Sequence, residues 1–194
     1  MEWTPVQKLA RVLRVLVIIA FVCNIIVLLL VPGIVGIWAE GGVIAFSGLN
    51  PFVERSALRM AALFLAACVQ LLWRIWRYGE NCVILTLFLW ACGICTAVIL
   101  WQGRRVLDTI LKGSPFAMSN AKSMKTAAVC CFVISGAALA RLVWGFVYYQ
   151  SIGPLFTYNA LFVPIFLMGG LLFMVMSALF RQAAELKAEN DLTI

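Results

Sequence analysis

The sequence predicts an all-α membrane protein: a four-transmembrane-helix bundle with an additional amphipathic or re-entrant hydrophobic helix over residues 57–80. Three observations predict it. Of 194 residues, 64% are hydrophobic and 12% charged, with a mean hydropathy of +1.04, whereas a soluble domain is about half apolar and about a quarter charged. The apolar residues gather into runs of about 20, the length that crosses a hydrocarbon core of roughly 30 Å. The basic excess, 15 Lys and Arg against 8 Asp and Glu, sits beside those runs, where cations orient spans and meet anionic headgroups. This composition excludes a soluble enzyme, a disordered regulator and a secreted disulfide scaffold, and it argues against direct nucleic-acid binding.

The elements follow in order. Lys8, Arg11 and Arg14 precede the first apolar run, about 13–31. It is long for a signal peptide and no small-x-small cleavage site follows, so it reads as a retained span. Residues 32–56, with Pro32, Pro51, Glu40 and Glu54, read as a connection, with Trp38 and Phe46 suited to the interface. In 57–80, a helix at ~100° per residue sets Gln70, Arg74 and Arg77 within about 60° of Arg59. Trp73, Trp76 and Tyr78 flank the end of that polar face. Such a face suits a helix lying on the membrane, and equally a short span turning its arginines into a bundle.

The second span, about 83–101, ends at Gln102-Gly103-Arg104-Arg105. The loop 102–126 follows, then spans of about 127–147 and 158–180 joined by a turn with Gly153 and Pro154, and a polar tail, 181–194, helical to about Glu189. With four spans, ten cations lie with the termini and loop 102–126, and Arg55, Arg59, Arg74 and Arg77 lie opposite. The positive-inside tendency then puts both termini in the cytoplasm. A fifth span at 57–80 would change the split to nine against five, so charge alone separates the two weakly.

Several residue patterns carry chemistry. There is no histidine, and the seven cysteines (Cys23, Cys68, Cys82, Cys92, Cys95, Cys130 and Cys131) lie almost wholly in apolar runs. They read as small hydrophobes rather than metal ligands or a redox pair. No catalytic motif, cofactor site or metal site is expected. Arg141 interrupts the third span. It reads either as a snorkelling structural cation, paired with Glu80 or bonded to Tyr148 or Asn159, or as part of a ligand or transport path. Gly136-Ala137-Ala138 and Gly169-Gly170 allow close helix packing or a homo-oligomer.

In the loop, Gly113-Ser114-Pro115 should end a helical extension of the second span. Phe116 is then directed, and Ser119 or Asn120 can cap the next helix. The loop serves as a structural corner, a docking surface, or both. The tail ends on Asp191-Leu192-Thr193-Ile194, whose apolar side chains suit insertion into a partner's groove. The other reading packs the tail back on the loop, with Arg104 and Arg105 meeting Glu189 or Asp191.

The stretch Ile110-Leu111-Lys112-Gly113-Ser114-Pro115-Phe116, then Asn120-Ala121-Lys122, resembles the central motif of the DUF2975 family of bacterial membrane proteins. The tail from Glu185 to Ile194 is similar to that family's C-terminal signature. The resemblance covers roughly 83–194. It implies a four-span protein of the bacterial cytoplasmic membrane, of unknown biochemical activity, often encoded beside a small helix-turn-helix regulator. The expectation is a regulatory partner that binds such a regulator through Lys112, Pro115, Phe116, Asn120, Glu185, Leu186, Glu189, Asp191, Leu192 and Ile194. The alternative is a small oligomeric transporter or resistance protein with Arg141 in the substrate path.

Overall fold

The computed structural model describes residues 5–39, 80–114 and 116–192. Among them are four long helices: α1 (Pro5–Ala39), α2 (Glu80–Leu111), α3 (Met118–Tyr149) and α4 (Tyr158–Leu192). A single 3₁₀ turn, Gly153–Phe156, stands between α3 and α4, and the described residues contain no strand. Each of the four helices is long and apolar enough to cross a membrane, with candidate span helices of 25 to 33 residues, where a bilayer requires roughly 20. The chain is a multi-pass membrane protein.

The expected spans lie inside longer helices. Residues 32–39, read as connection, continue α1, and 102–111 continue α2. The reason is that an apolar run marks only what lies in lipid, while helical hydrogen bonding continues into polar flanks until a residue stops it. The additional helix at 57–80 lies outside the described residues except for Glu80, which opens α2.

The chain divides into two compact units, residues 26–91 and residues 1–25 with 92–194. In the first, Val31, Val35 and Phe88 are buried, and Thr86 satisfies its buried hydroxyl by donating to the Cys82 carbonyl at 2.8 Å. The second holds the α3–α4 hairpin. α3 is the most buried helix, through a stripe of small side chains including Ala121, Ala127, Ala128, Cys131, Ser135 and Ala138. By contrast, the apolar side chains of α1 from Val12 to Ile25 are mostly exposed, as lipid-facing residues should be.

Two hydrogen bonds set the hairpin register. The Ser135 hydroxyl donates to the Val163 carbonyl at 2.9 Å, and the Ser177 hydroxyl to the Ala121 carbonyl at 2.8 Å. The partners are 14 residues apart on both helices, Ala121 to Ser135 and Val163 to Ser177. Two heptads is the interval at which paired antiparallel helices present the same faces again. Between the two bonds Gly170 meets the Phe132 ring so closely that a Cβ there would stand 2.7 Å from a ring carbon. Gly136 and Gly169, with which Gly170 was grouped as packing residues, face open space instead. Pro164 sits inside α4 without ending it, and the Ser135 bond reaches the carbonyl just before that proline.

Two corners close the elements. α3 ends on Gln150, which adopts a left-handed conformation (φ 47°) while its N–H bonds the Phe146 carbonyl at 3.0 Å. Pro154 then packs on Gly145, where a Cβ would lie 3.1 Å from the proline ring. The α2–α3 corner belongs to the site below.

Candidate functional site

The polar corner is built from the end of α2 upward. Gly113 has φ +76°, a region glycine enters without steric cost. Its N–H bonds the Ile110 carbonyl at 3.1 Å, and the Ser114 N–H bonds the Thr109 carbonyl at 3.0 Å. This pair of bonds is a Schellman motif, which satisfies the last carbonyls of the helix and reverses the chain. The stop expected at Gly113-Ser114-Pro115 thus forms at its first two residues. Pro115 lies outside the described residues.

Asn120 does something its sequence context hides. α3 is capped by Ala117 without a side-chain bond, so neither Ser119 nor Asn120 is the expected cap. The Asn120 side chain, 1% exposed, instead donates across the corner to Thr109 Oγ1 at 2.7 Å. That hydroxyl in turn donates to the Val106 carbonyl at 2.7 Å. Burying an amide without partners costs about 1–3 kcal/mol. The Thr109 clasp avoids that cost and ties α3 to α2, beside the buried Val106 and Leu107. Asn120 therefore ties the corner together, and it also lines the polar cleft that opens beside it.

Asp108 is the only acidic residue between Glu80 and Glu185. Arg14 Nε of α1 approaches its Oδ1 at 2.8 Å, an ionic contact whose N–H is not aligned for a hydrogen bond. Arg104 Nε stands 3.9 Å from the other oxygen, and its guanidinium lies 5.2 Å over the Trp101 ring. Trp101 meets Phe21 of α1 with ring centroids 5.8 Å apart. Arg104 is thus held by α2 itself. Sequence reading passed over Asp108, Thr109 and Arg14 as site residues. The signal available was the isolation of Asp108: a single carboxylate among so many cations is the counter-charge for one of them.

Around this corner a polar cleft of about 390 Å³ opens between α2 and α3. Arg105, Lys112 and Lys122 line it together with Asp108, Ser119 and Ser123. In the loop, Phe116 is half-exposed and packs on Phe180 of α4, centroids 6.4 Å apart. The loop and the root of the tail therefore touch.

The tail continues α4 as helix to Leu192. Arg181 Nε bonds Glu185 Oε1 at 2.9 Å, an exposed (i, i+4) pair worth little in water. Leu186 is 64% exposed and Glu189 is exposed. Asp191 and Leu192 are the last residues of the helix, and Ile194 lies beyond the described residues.

Arg141 belongs elsewhere. It is partly buried and lines a hollow of about 380 Å³ at the α3–α4 turn, with Tyr149, Ser151, Thr157 and Asn159. Of the partners its position suggested, Asn159 shares this hollow, and Tyr149 stands there rather than Tyr148. No group of three or more His, Cys, Asp or Glu among the described residues is arranged to hold a metal ion.

A family model described as "Protein of unknown function (DUF2975)" matches residues 57–194. The match reaches further toward the N-terminus than the two motifs do, taking in the segment before α2. No curated protein and no solved structure matches the chain.

Proposed function

That the chain belongs to the DUF2975 family is the premise from which we infer that this multi-pass membrane protein is a regulatory partner. It binds a small soluble helix-turn-helix DNA-binding protein through loop 102–126 and tail 181–194, and it catalyses no reaction. Its membrane is the bacterial cytoplasmic membrane, and both termini face the cytoplasm with the ten cations of their side. The observation that carries the reading is the Phe116–Phe180 contact, which joins the loop to the root of the tail. Beyond it, the tail projects as a helix with Leu186 uncovered. A helix carrying an uncovered apolar side chain between charges suits a partner's groove. Lys112, Glu185 and Glu189 are exposed and supply the polar rim, while Asn120 holds the corner from inside.

The test is purification from the native membrane in mild detergent, with and without residues 181–194. A small DNA-binding protein that accompanies the full chain and is lost with the tail supports the reading. Recovery of the protein alone, as a defined oligomer, overturns it. The Arg141 hollow favours a second reading, a small transporter whose anionic substrate passes Arg141. In that case Arg141→Ala abolishes transport in vesicles and removal of the tail leaves it unchanged.

A further inference from the structure

The α2–α3 cleft holds more positive charge than the corner needs. Arg105, Lys112 and Lys122 line it, and among the described residues none of the three makes an ion pair. Its one carboxylate, Asp108, is engaged by Arg14 and Arg104. Ser119, at the second position of α3, also lines the cleft. The first turn of α3 carries no acidic side chain and no side-chain cap, so the positive end of its dipole adds to the field. Uncompensated cations converging on a polar hollow call for an anion with several acceptor oxygens.

The position narrows the anion. The cleft lies just past Trp101, where the apolar run of α2 ends, and before Ala127, where that of α3 begins. This is the depth of lipid headgroups. Lys122 and Thr126 also border a second hollow of about 380 Å³ lined by Lys125 and Val129. One turn further along α3 comes Val133, and Val129 and Val133 are both about half exposed. A polar pocket thus gives way along one helix to uncovered apolar surface, the sequence of environments a phospholipid presents.

We propose that this cleft is a binding site for an anionic phospholipid, its phosphate seated by Arg105, Lys112 and Lys122 and its acyl chains lying along Val129 and Val133. The site does not depend on the regulator reading, and of its three cations only Lys112 also belongs to the residues expected to bind the soluble partner.

The test follows thermal unfolding of the full chain in neutral detergent by tryptophan fluorescence. Dioctanoyl phosphatidylglycerol, dioctanoyl phosphatidylcholine or inorganic phosphate is titrated at constant ionic strength. Bound ligand raises Tm, and phosphatidylglycerol should raise it at concentrations where phosphatidylcholine does not. Each cation near such a headgroup is worth about a five-fold change in affinity. Lys112→Gln and Lys122→Gln should therefore each weaken the response about five-fold, and the triple variant with Arg105→Gln by on the order of a hundred-fold. Lys8→Gln with Lys187→Gln, which removes charge elsewhere, should leave it unchanged. If the triple variant does not fold, the two single variants decide. Equal responses to the two lipids, or an unaltered response in the lysine variants, overturn the site. Inorganic phosphate matching phosphatidylglycerol would make the occupant a free anion and overturn the lipid assignment.

Discussion

Replacing Gly170 with alanine adds one methyl group where the Phe132 ring already stands. The new Cβ would lie 2.7, 2.9 and 3.1 Å from three ring carbons, against the roughly 3.5–4.0 Å at which carbon atoms sit comfortably. The ring or the helix must yield by about 0.8 Å or more, and overpacking of this kind costs about 1–3 kcal/mol. Alanine also gains about 0.8–1.0 kcal/mol over glycine inside a helix, so the net cost of Gly170→Ala is about 0–2 kcal/mol. Gly169 supplies the control. It occupies the same helix one residue earlier, and a Cβ there meets nothing within 4 Å. The propensity gain is common to both changes and cancels, which leaves Gly170→Ala less stable than Gly169→Ala by about 1–3 kcal/mol. The assay is equilibrium unfolding in mixed micelles with increasing sodium dodecyl sulfate, read by tryptophan fluorescence. Trimming the ring in Phe132→Leu should recover most of the loss caused by Gly170→Ala, as a coupling energy between residues in contact. Equal stability of the two alanine variants, or additivity in the Phe132→Leu cycle, would refute the register from which the contact is read.

Other expectations rest on separate observations. Gly113→Ala forces a Cβ into φ +76° and should cost about 1–2 kcal/mol. Gly103→Ala, in the α2 interior with open space around it, should be neutral or stabilising in the same unfolding assay. Ser135→Ala and Ser177→Ala each remove one bond from hydroxyl to carbonyl across the hairpin. Each should cost about 0.6 kcal/mol, the usual worth of such bonds between membrane helices, and the two should add because they are four turns apart. The Cys95 and Cys130 thiols lie within hydrogen-bonding reach of each other. A variant keeping these two cysteines alone should form an intramolecular disulfide under a membrane-permeant oxidant, seen as a faster band on a non-reducing gel. One keeping Cys23 and Cys130 should not, and the reverse pattern would refute the α2–α3 pairing.

What could be read without a structure was what depends on local chemistry. A bilayer offers no partner for backbone polar groups, so each crossing requires an unbroken apolar run, and the runs ending at Val31, Trp101, Val147 and Phe180 announced the helices. The stop at Gly113 was equally legible, because a left-handed residue after a helix favours glycine wherever it occurs. Membership of the family was legible from the same stretch and the tail.

Tertiary structure decided which member of each ambiguous set performs which task. Asparagine serves equally as a helix cap and as a buried amide, and only the approach of Thr109 assigns Asn120 to the second. Gly169 and Gly170 are adjacent and chemically identical, yet one meets Phe132 and the other open space, because a step of about 100° around a helix is enough to change faces. Asp108 could have answered any of the nearby cations, and the meeting of α1 with α2 selected Arg14. The cleft likewise exists because the corner brings residues 105 and 112 beside 122. Composition and period act along the chain and can be read from it. Register and side-chain pairing act across it, and they exist only once the helices have packed.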